Sequence, residues 1–413
     1  MFGPVSLNAP SDVLTALAGV GRTEDVAFSP DNRRLAIAGF TSDSIALLDL
    51  QLRFTPEPAV VLTGLTQLRS PGLAYPHGLV FLDDQLLAVA NRKGAVVVLP
   101  LPMPAVGVES AVIEPVMVIG GNDTAIESPG SLAVVRLGPE LCELLVCNNY
   151  VHHVTRHVVD TRTQRVVSGE VLLAAGLAIP DGIAVSNDHC WLAVSNHSTN
   201  SVLVFRNSAD LGPSSHAVGE LHGVAYPHGL RFTADDAQVI VAAAGAPHVV
   251  VFERGDDEWV GNRSPVATVR VMDDDTFQRG NANPEEGGPK GLDIDRTGRI
   301  MAITSEHDPI QFLALSVQAD SGLEPDEMSM IESLRTALIR SLDRPQALEL
   351  RTTQLERELT EQQARIRQLE RTLTRTRNGL FQQVQLEQAR LAATGTSPPL
   401  ESNRAASGGP ANA

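Results

Sequence analysis

The sequence predicts an all-β fold: a six-bladed β-propeller closed by an N-terminal strand and followed by a C-terminal α-helical coiled-coil segment. The first observation is a hexapeptide, A-Y-P-H-G-L, which stands at Ala74–Leu79 and again, letter for letter, at Ala225–Leu230. The second is a set of weaker copies of its Pro-x-Gly-aliphatic core, with aliphatic residues at positions 26, 79, 132, 183, 230 and 292. An internal repeat of about fifty residues is typical of propellers, in which each unit buries its apolar faces against its neighbours.

Each repeat shows the same succession of short β-rich runs separated by turns rich in Asn, Asp, Gly and Ser. The second strands of the six repeats are predicted at Leu35–Ala38, Leu86–Ala90, Leu144–Cys147, Trp191–Ser195, Val239–Ala243 and Ile300–Thr304. A fourth strand fits five repeats, but the sixth has none after Leu315. We predict that the apolar run Val13–Gly19 supplies it and closes the ring, which removes the open sheet edges.

The chain is predicted to divide into a propeller (1–320), a linker with a short helix (321–343), a coiled-coil helix (344–393) and a disordered tail (394–413). From Leu348 to Leu380, most a and d positions of a heptad repeat are aliphatic, which predicts a homodimer formed through residues 344–393. The alternative is a single amphipathic helix that folds back on the propeller. The tail is rich in Ser, Pro, Gly and Ala and has too few apolar residues for a core.

Composition limits the classes of partner. The net charge of −17 argues against nucleic acid, because phosphate binding needs clustered Lys and Arg. No apolar run approaches the roughly 18–20 residues that cross a bilayer, so no membrane association is expected. The N-terminus lacks a secretory signal pattern, and three cysteines fit free thiols better than a disulfide framework. We therefore expect a soluble, cytoplasmic protein.

Candidate functional residues follow from the geometry of a propeller, in which the first strand of every blade lines the central channel. The residue just before the glycine position of the repeat, two residues before the aliphatic one, should lie at one rim, which gives Glu24, His77, Gly130, Asp181, His228 and Lys290. In a six-fold ring, blades three apart face each other. We therefore expect His77 to face His228 and Glu24 to face Asp181, with Gly130 leaving an open side opposite Lys290.

Two imidazoles and two carboxylates on one axis predict a divalent metal site. Zn, Mn, Fe or Ni suits such a set better than Ca, which prefers all-oxygen ligands. The predicted ligands are Glu24, His77, Asp181 and His228. The alternative is that each Pro-His-Gly turn places an imidazole that caps a strand or hydrogen-bonds across the channel. Lys290 is either a counter-charge to the carboxylates or, after losing its proton, a catalytic base.

Two further groups of residues have alternative interpretations. The residues that end second strands are predicted to form turns, with contact to a ligand as the alternative: Asn91, Asn148, Asn196 and, in blade six, Glu306 and His307. The acidic insertion Met272–Gly288 lies on the same rim as the histidine pair. It is an acidic solvated loop, or else it acts as a lid or recruits cations.

The motif Pro-x-Gly-[Ile/Leu], an Asp-containing turn and a strand ending in Val-Ala-Asn or Val-Ser-Asn resembles the repeats of NHL propellers over residues 12–316. It is also similar to the six-bladed senescence-marker-protein/gluconolactonase group. In that group the pre-glycine position supplies metal ligands, and the resemblance implies that Asp181 and Glu24 match them. His77 and His228 replace the asparagines of the family.

The resemblance implies a metal-dependent hydrolase that acts on a small-molecule substrate, a lactone or an ester. An isomerase, lyase or cyclase on the same scaffold is a further possibility. The alternative from a different class is a non-catalytic interaction scaffold, which binds a protein partner and oligomerises through its C-terminal helix.

Overall fold

Six sheets, each built on four antiparallel strands, surround a channel in the computed structural model, which describes residues 2–120 and 125–315. The first strand of each sheet packs against the first strand of the next, and that of the sixth packs against that of the first. The ring is therefore closed, and the prediction of a six-bladed propeller is confirmed. The predicted coiled coil and tail lie outside the described residues, so the homodimer stays a prediction.

The blades follow one another along the chain. Blade one comprises Thr23–Phe28, Arg34–Gly39, Ser44–Arg53 and Ala59–Arg69; blade two comprises Pro76–Asp83, Leu86–Asn91, Val96–Pro100 and Met117–Ile119. Blade three comprises Pro129–Arg136, Leu141–Asn148, His153–Asp160 and Arg165–Leu173; blade four comprises Pro180–Val185, Trp191–Asn196, Ser201–Arg206 and Gly219–His222. Blade five comprises Pro227–Phe232, Gln238–Ala243, His248–Glu253 and Ala267–Arg270. Blade six comprises Pro289–Ile294, Ile300–Ser305 and Gln311–Leu315, and the N-terminal Phe2–Pro4 completes it.

Three additional strands widen two of the blades. Ser6–Asn8 and Gly107–Val112 run parallel to Ala59–Arg69 in blade one. Gly261–Arg263 runs parallel to Gly219–His222 in blade four.

The core consists of apolar layers between neighbouring blades, which is why the second strands are apolar on both faces. Side chains alternate along a strand. In Arg34–Gly39, Leu35 and Ile37 therefore pack towards blade six, whereas Ala36 and Ala38 pack towards blade two. Because every blade is covered on both sides, such strands are nearly continuous hydrophobic runs.

The glycine of the repeat is explained by the close approach of neighbouring first strands. A methyl group at Gly78 would lie 2.1 Å from the carbonyl oxygen of Gly130, and one at Gly182 would lie 2.0 Å from that of His228. In each case the obstructing carbonyl belongs to the residue before the glycine position of the next blade. The repeated glycine therefore lets the first strands approach one another around the channel.

The ring is closed by an N-terminal strand, as predicted, but the predicted segment is wrong. Phe2–Pro4 pairs antiparallel with Gln311–Leu315, whereas most of Val13–Gly19 belongs to the α-helix Ser11–Ala18. Val13 and Leu17 are buried and four residues apart, which places them on one helical face against the core between blades six and one. The other α-helix is Asp274–Gly280. Neither α-helix in the described part of the chain has the length and apolar character of a membrane span.

Removal of residues 1–5 is expected to lower the melting temperature by about 3–6 °C, because it deletes the fourth strand of blade six and the contacts of Phe2. The measurement is thermal unfolding followed by circular dichroism, with a variant lacking only Met1 as the control. Equal melting temperatures for the two variants would show that Phe2–Pro4 contributes nothing to ring closure.

Candidate functional site

Five of the six residues predicted for the rim line one cavity of about 180 Å³. Each is at most 5 % exposed, although all five carry ionisable side chains: Glu24, His77, Asp181, His228 and Lys290. Such groups are rarely buried unless they are paired or bind a ligand. The arrangement is therefore a candidate functional site.

Residues of opposite blades face each other across the channel, as the sequence predicts. The imidazole rings of His77 and His228 are nearly parallel, at 23°, with their centroids 5.2 Å apart. Both Nε2 atoms approach Glu24 Oε2, at 3.6 Å from His77 and 3.5 Å from His228. Asp181 lies near the same two atoms, at 3.8 Å from His77 Nε2 and 3.4 Å from His228 Nε2.

Three of these side chains have the spacing of a metal site. One ligand atom each of Glu24, His77 and His228 lies within 4.8 Å of the other two, and all three residues are buried. Asp181, the fourth predicted ligand, lies outside this group. Glu24 Oε2 is buried and has no hydrogen-bond partner within the described part of the chain.

Two cationic side chains compensate the charge of Glu24. Lys290 Nζ lies 3.4 Å from Glu24 Oε2 and 3.7 Å from Glu286 Oε2. Arg22 binds the other oxygen, with Nε 2.5 Å from Glu24 Oε1, and its Nη2 lies 3.0 Å from Glu286 Oε1. This position of Lys290 agrees with the counter-charge alternative.

Both carboxylates of the site stay ionised despite their burial. Burial opposes the charge of Glu24, but Lys290 above all, with His228 and Arg22, holds its pKa well below the usual value. Burial also opposes the charge of Asp181, and there His228 and Arg92 are the main groups that hold the pKa well below the usual value. At neutral pH, two negative charges therefore face the channel.

A second ring of residues lies above the first and was missed by the sequence analysis. Its members line the cavity and directly follow the second strands of blades one to four: Phe40, Arg92, Asn149 and His197. The sequence analysis stopped one residue earlier, at the asparagines. The residue after each asparagine lies just beyond the end of its second strand, so the strand pattern did not mark it.

The asparagines themselves hold turns, as predicted. Asn91 Oδ1 accepts a hydrogen bond from Ala74 N at 2.9 Å, and Asn91 Nδ2 donates to Gly72 O at 3.0 Å. The main chain of the next residue, Arg92, donates to Tyr75 O at 2.9 Å. These bonds fix the end of the second strand beside the Pro-x-Gly turn and so direct Arg92 to the cavity.

The open side predicted at Gly130 is not present. A methyl group at Gly130 would lie 2.0 Å from Asn149 Oδ1, so the amide of Asn149 occupies the space that glycine leaves. Asn149 Nδ2 donates a hydrogen bond to Asp181 Oδ1. The opening was inferred from the first strand alone, and a side chain from the second ring fills it.

Arg92 connects the two rings. Its Nη2 lies 2.5 Å from His77 Nε2 and 3.2 Å from Asp181 Oδ1. Burial, together with the positive charge of Arg92, lowers the pKa of His77 well below its usual value, despite the nearby Asp181 and Glu24. His77 is therefore a neutral imidazole in the channel.

The acidic insertion reaches the cavity. Its helix, Asp274–Gly280, is capped by Asp273, which accepts a hydrogen bond from Thr276 N at 2.7 Å. Beyond the helix, Glu285 and Glu286 line the cavity. Glu285 Oε2 lies 3.8 Å from His197 Nε2 in blade four, so the insertion is not only a solvated loop.

Comparison with known proteins gives likeness in structure only. No protein-family profile and no curated protein matches the chain in sequence. Among solved structures, a gluconolactonase from Xanthomonas campestris has a TM-score of 0.49 at 13 % identity, over 72 % of this chain and 86 % of that one. A putative 6-phosphogluconolactonase from Bacteroides fragilis has a TM-score of 0.47 at 12 % identity, over 71 % and 80 % of the two chains.

A hydrazine synthase from Kuenenia stuttgartiensis has a TM-score of 0.43 at 13 % identity, over 72 % of this chain and 84 % of that one. These three proteins are named for different activities. The arrangement of its strands in six sheets around a channel defines this protein as a six-bladed β-propeller. The candidate site is defined by the side chains described above.

Proposed function

We propose that this propeller is a metal-dependent hydrolase that binds a divalent cation in its channel and acts on a small lactone or ester. The observation that carries the proposal is the buried group of Glu24, His77 and His228, whose ligand atoms lie within 4.8 Å of one another. Asp181 faces both imidazoles and would be the fourth member of the set.

The residues fit such an ion. One carboxylate with two imidazoles is a donor set that suits Zn, Mn, Fe or Ni. Glu24 Oε2 points at both imidazoles and lacks a hydrogen-bond partner among the described residues. A buried carboxylate oxygen that is ion-paired with Lys290 but accepts no hydrogen bond from any residue that the structure describes can still bind a ligand, which favours a cation at this place.

The side chains of the cavity suggest how a substrate would be handled. A bound divalent ion supplies Lewis-acid chemistry, which polarises a carbonyl group. Lys290 Nζ lines the same cavity, and as an ammonium it can donate a hydrogen bond to an oxygen atom that gains negative charge. We propose this role for Lys290 as the catalytic residue, instead of the general base considered from the sequence.

The size of the cavity limits the substrate. Its volume of about 180 Å³ is below the roughly 300–1,000 Å³ of pockets that hold drug-sized ligands. Most of the lining side chains are polar or charged. Both features favour a small oxygenated molecule.

The metal content of the protein tests the proposal. Elemental analysis of untagged protein is expected to find one divalent ion per chain, and none in the double variant His77→Ala/His228→Ala. A matched control is His216→Ala/His222→Ala, because both of these histidines are exposed; it should keep the ion. Hydrolysis of a panel of lactones and esters should disappear on chelation and return when the metal is restored.

An empty channel in the wild type would refute the metal proposal and favour the interaction scaffold. If one ion per chain is found but no compound of the panel is hydrolysed, the metal site is supported and the proposed reaction is refuted.

A further inference from the structure

Arg92 forms a hydrogen bond with the nitrogen atom of His77 through which a metal ion would bind. A guanidinium carries only N–H donors, so in the 2.5 Å contact between Arg92 Nη2 and His77 Nε2 the imidazole nitrogen is the acceptor. A metal ion binds an imidazole through the same lone pair. The hydrogen bond from Arg92 and a bond to a cation therefore exclude each other.

Arg92 can leave His77 without losing all its partners. The same Nη2 atom lies 3.2 Å from Asp181 Oδ1. The guanidinium carbon lies 5.5 Å from the centre of the Tyr150 ring, at the distance of a cation–π contact. Nη1 of Arg92 is buried and has no hydrogen-bond partner among the described residues, so movement of the guanidinium breaks no bond at that atom.

We propose that Arg92 is a built-in counter-ion of the channel, which competes with the divalent cation for His77 and thereby sets the affinity of the metal site. The inference rests on the proposed metal site. In the metal-free protein the guanidinium balances the carboxylates, and only an ion with a strong preference for imidazole displaces it. Hard cations such as Ca²⁺ gain little from an imidazole and are disfavoured.

Arg22 provides a matched comparison. It also brings one positive charge to the site, with Nε 2.5 Å from Glu24 Oε1. It binds the carboxylate oxygen that does not face the imidazoles, and its other ion pair is with Glu286. Loss of Arg22 therefore changes the charge of the site without freeing the lone pair of His77.

The test is the dissociation constant for Zn²⁺, measured by chelator competition on metal-free wild type, Arg92→Met and Arg22→Met. Both variants should bind more tightly than the wild type, since one positive charge is removed. Arg92→Met should bind about tenfold more tightly than Arg22→Met, because it also removes a charge-assisted hydrogen bond that the metal must break. Ca²⁺ gains little from an imidazole and should bind about equally well to the two variants, so the preference for Zn²⁺ over Ca²⁺ should be greater in Arg92→Met than in Arg22→Met.

The outcomes separate this inference from the proposed function. One outcome is that the wild type binds Zn²⁺ and the affinity for Zn²⁺ increases equally in the two variants, or increases less in Arg92→Met. This outcome refutes the competition but leaves the metal site in place. If only Arg92→Met binds, the competition stands and the proposed function of the native protein fails. If none of the three binds, both are refuted.

A measurement on the wild type does not depend on the folding of the variants. The Nε–H resonance of Arg92, assigned by its absence in Arg92→Lys, should shift in proportion to the Zn²⁺ bound. A resonance that does not respond to bound Zn²⁺ would overturn the inference.

Discussion

Replacement of Glu24 with alanine is expected to lower the free energy of unfolding of the metal-free protein by about 3–5 kcal/mol. Glu24 is fully buried, and its carboxylate pairs with Arg22, Lys290 and the two imidazoles. Without it, the buried Lys290 keeps, among the described residues, only its ion pair with Glu286, at 3.7 Å. The measurement is urea denaturation at pH 7 in the presence of a chelator.

The control is Glu170→Ala, which removes a carboxylate that is 57 % exposed and pairs with Arg156 at the outer strand of blade three. An exposed ion pair of this kind contributes about 1 kcal/mol or less. If Glu24→Ala is no more harmful than Glu170→Ala, the carboxylate is not the charge that holds the cationic side chains in the channel.

The difference in stability between the wild type and Glu24→Ala should depend on pH. Because the folded protein holds the pKa of Glu24 well below its usual value, the stabilisation is complete above the unfolded pKa of about 4.3. It is lost as the pH falls from there towards the folded pKa. The difference in stability between wild type and Glu24→Ala should therefore narrow below about pH 4.

Replacement of Gly182 with alanine is expected to cost about 3 kcal/mol or to prevent folding. Its new methyl group would lie 2.0 Å from the carbonyl oxygen of His228 and 2.9 Å from the carbonyl carbon. These are main-chain atoms of the next blade, so the strand itself must move, and overpacking of this kind costs about 1–3 kcal/mol or more. Thermal and urea unfolding measure the loss.

Gly138→Ala is the control, because nothing lies within 4 Å of the position that its methyl group would take. We expect a change within about 0.5 kcal/mol. Similar stability of the two variants would mean that neighbouring first strands can separate without loss, against the explanation of the repeated glycine given above.

The sequence predicted the ring and its first layer because both depend on residues that recur. The aliphatic residue of the repeat marks the first strand, so the position two residues before it identifies Glu24, His77, Asp181, His228 and Lys290 without any three-dimensional information. Closure into six blades then brings opposite members together, as the facing imidazoles of His77 and His228 show.

The second layer was missed for a physical reason. Phe40, Arg92, Asn149 and His197 share no chemical character, so no repeat in the letters marks them. The recurring residue is the turn-forming asparagine before three of them, and the sequence analysis therefore considered the asparagine instead of the residue after it.

The segment Val13–Gly19 was misassigned because a short apolar run does not distinguish a strand from a helix. The four-residue spacing of Val13 and Leu17, after Pro10 and Ser11, was the available signal for a helix.

The pairing of Phe2–Pro4 with Gln311–Leu315 has a consequence for the order of events during synthesis. The two partners are about as far apart in the chain as any two described residues can be, and contacts of such long range form late and slowly. Blades one to five can fold before Gln311–Leu315 has been synthesised, and until then Phe2–Pro4 has no strand to pair with. We therefore expect the N-terminal strand, although it is synthesised first, to be the last strand to pair.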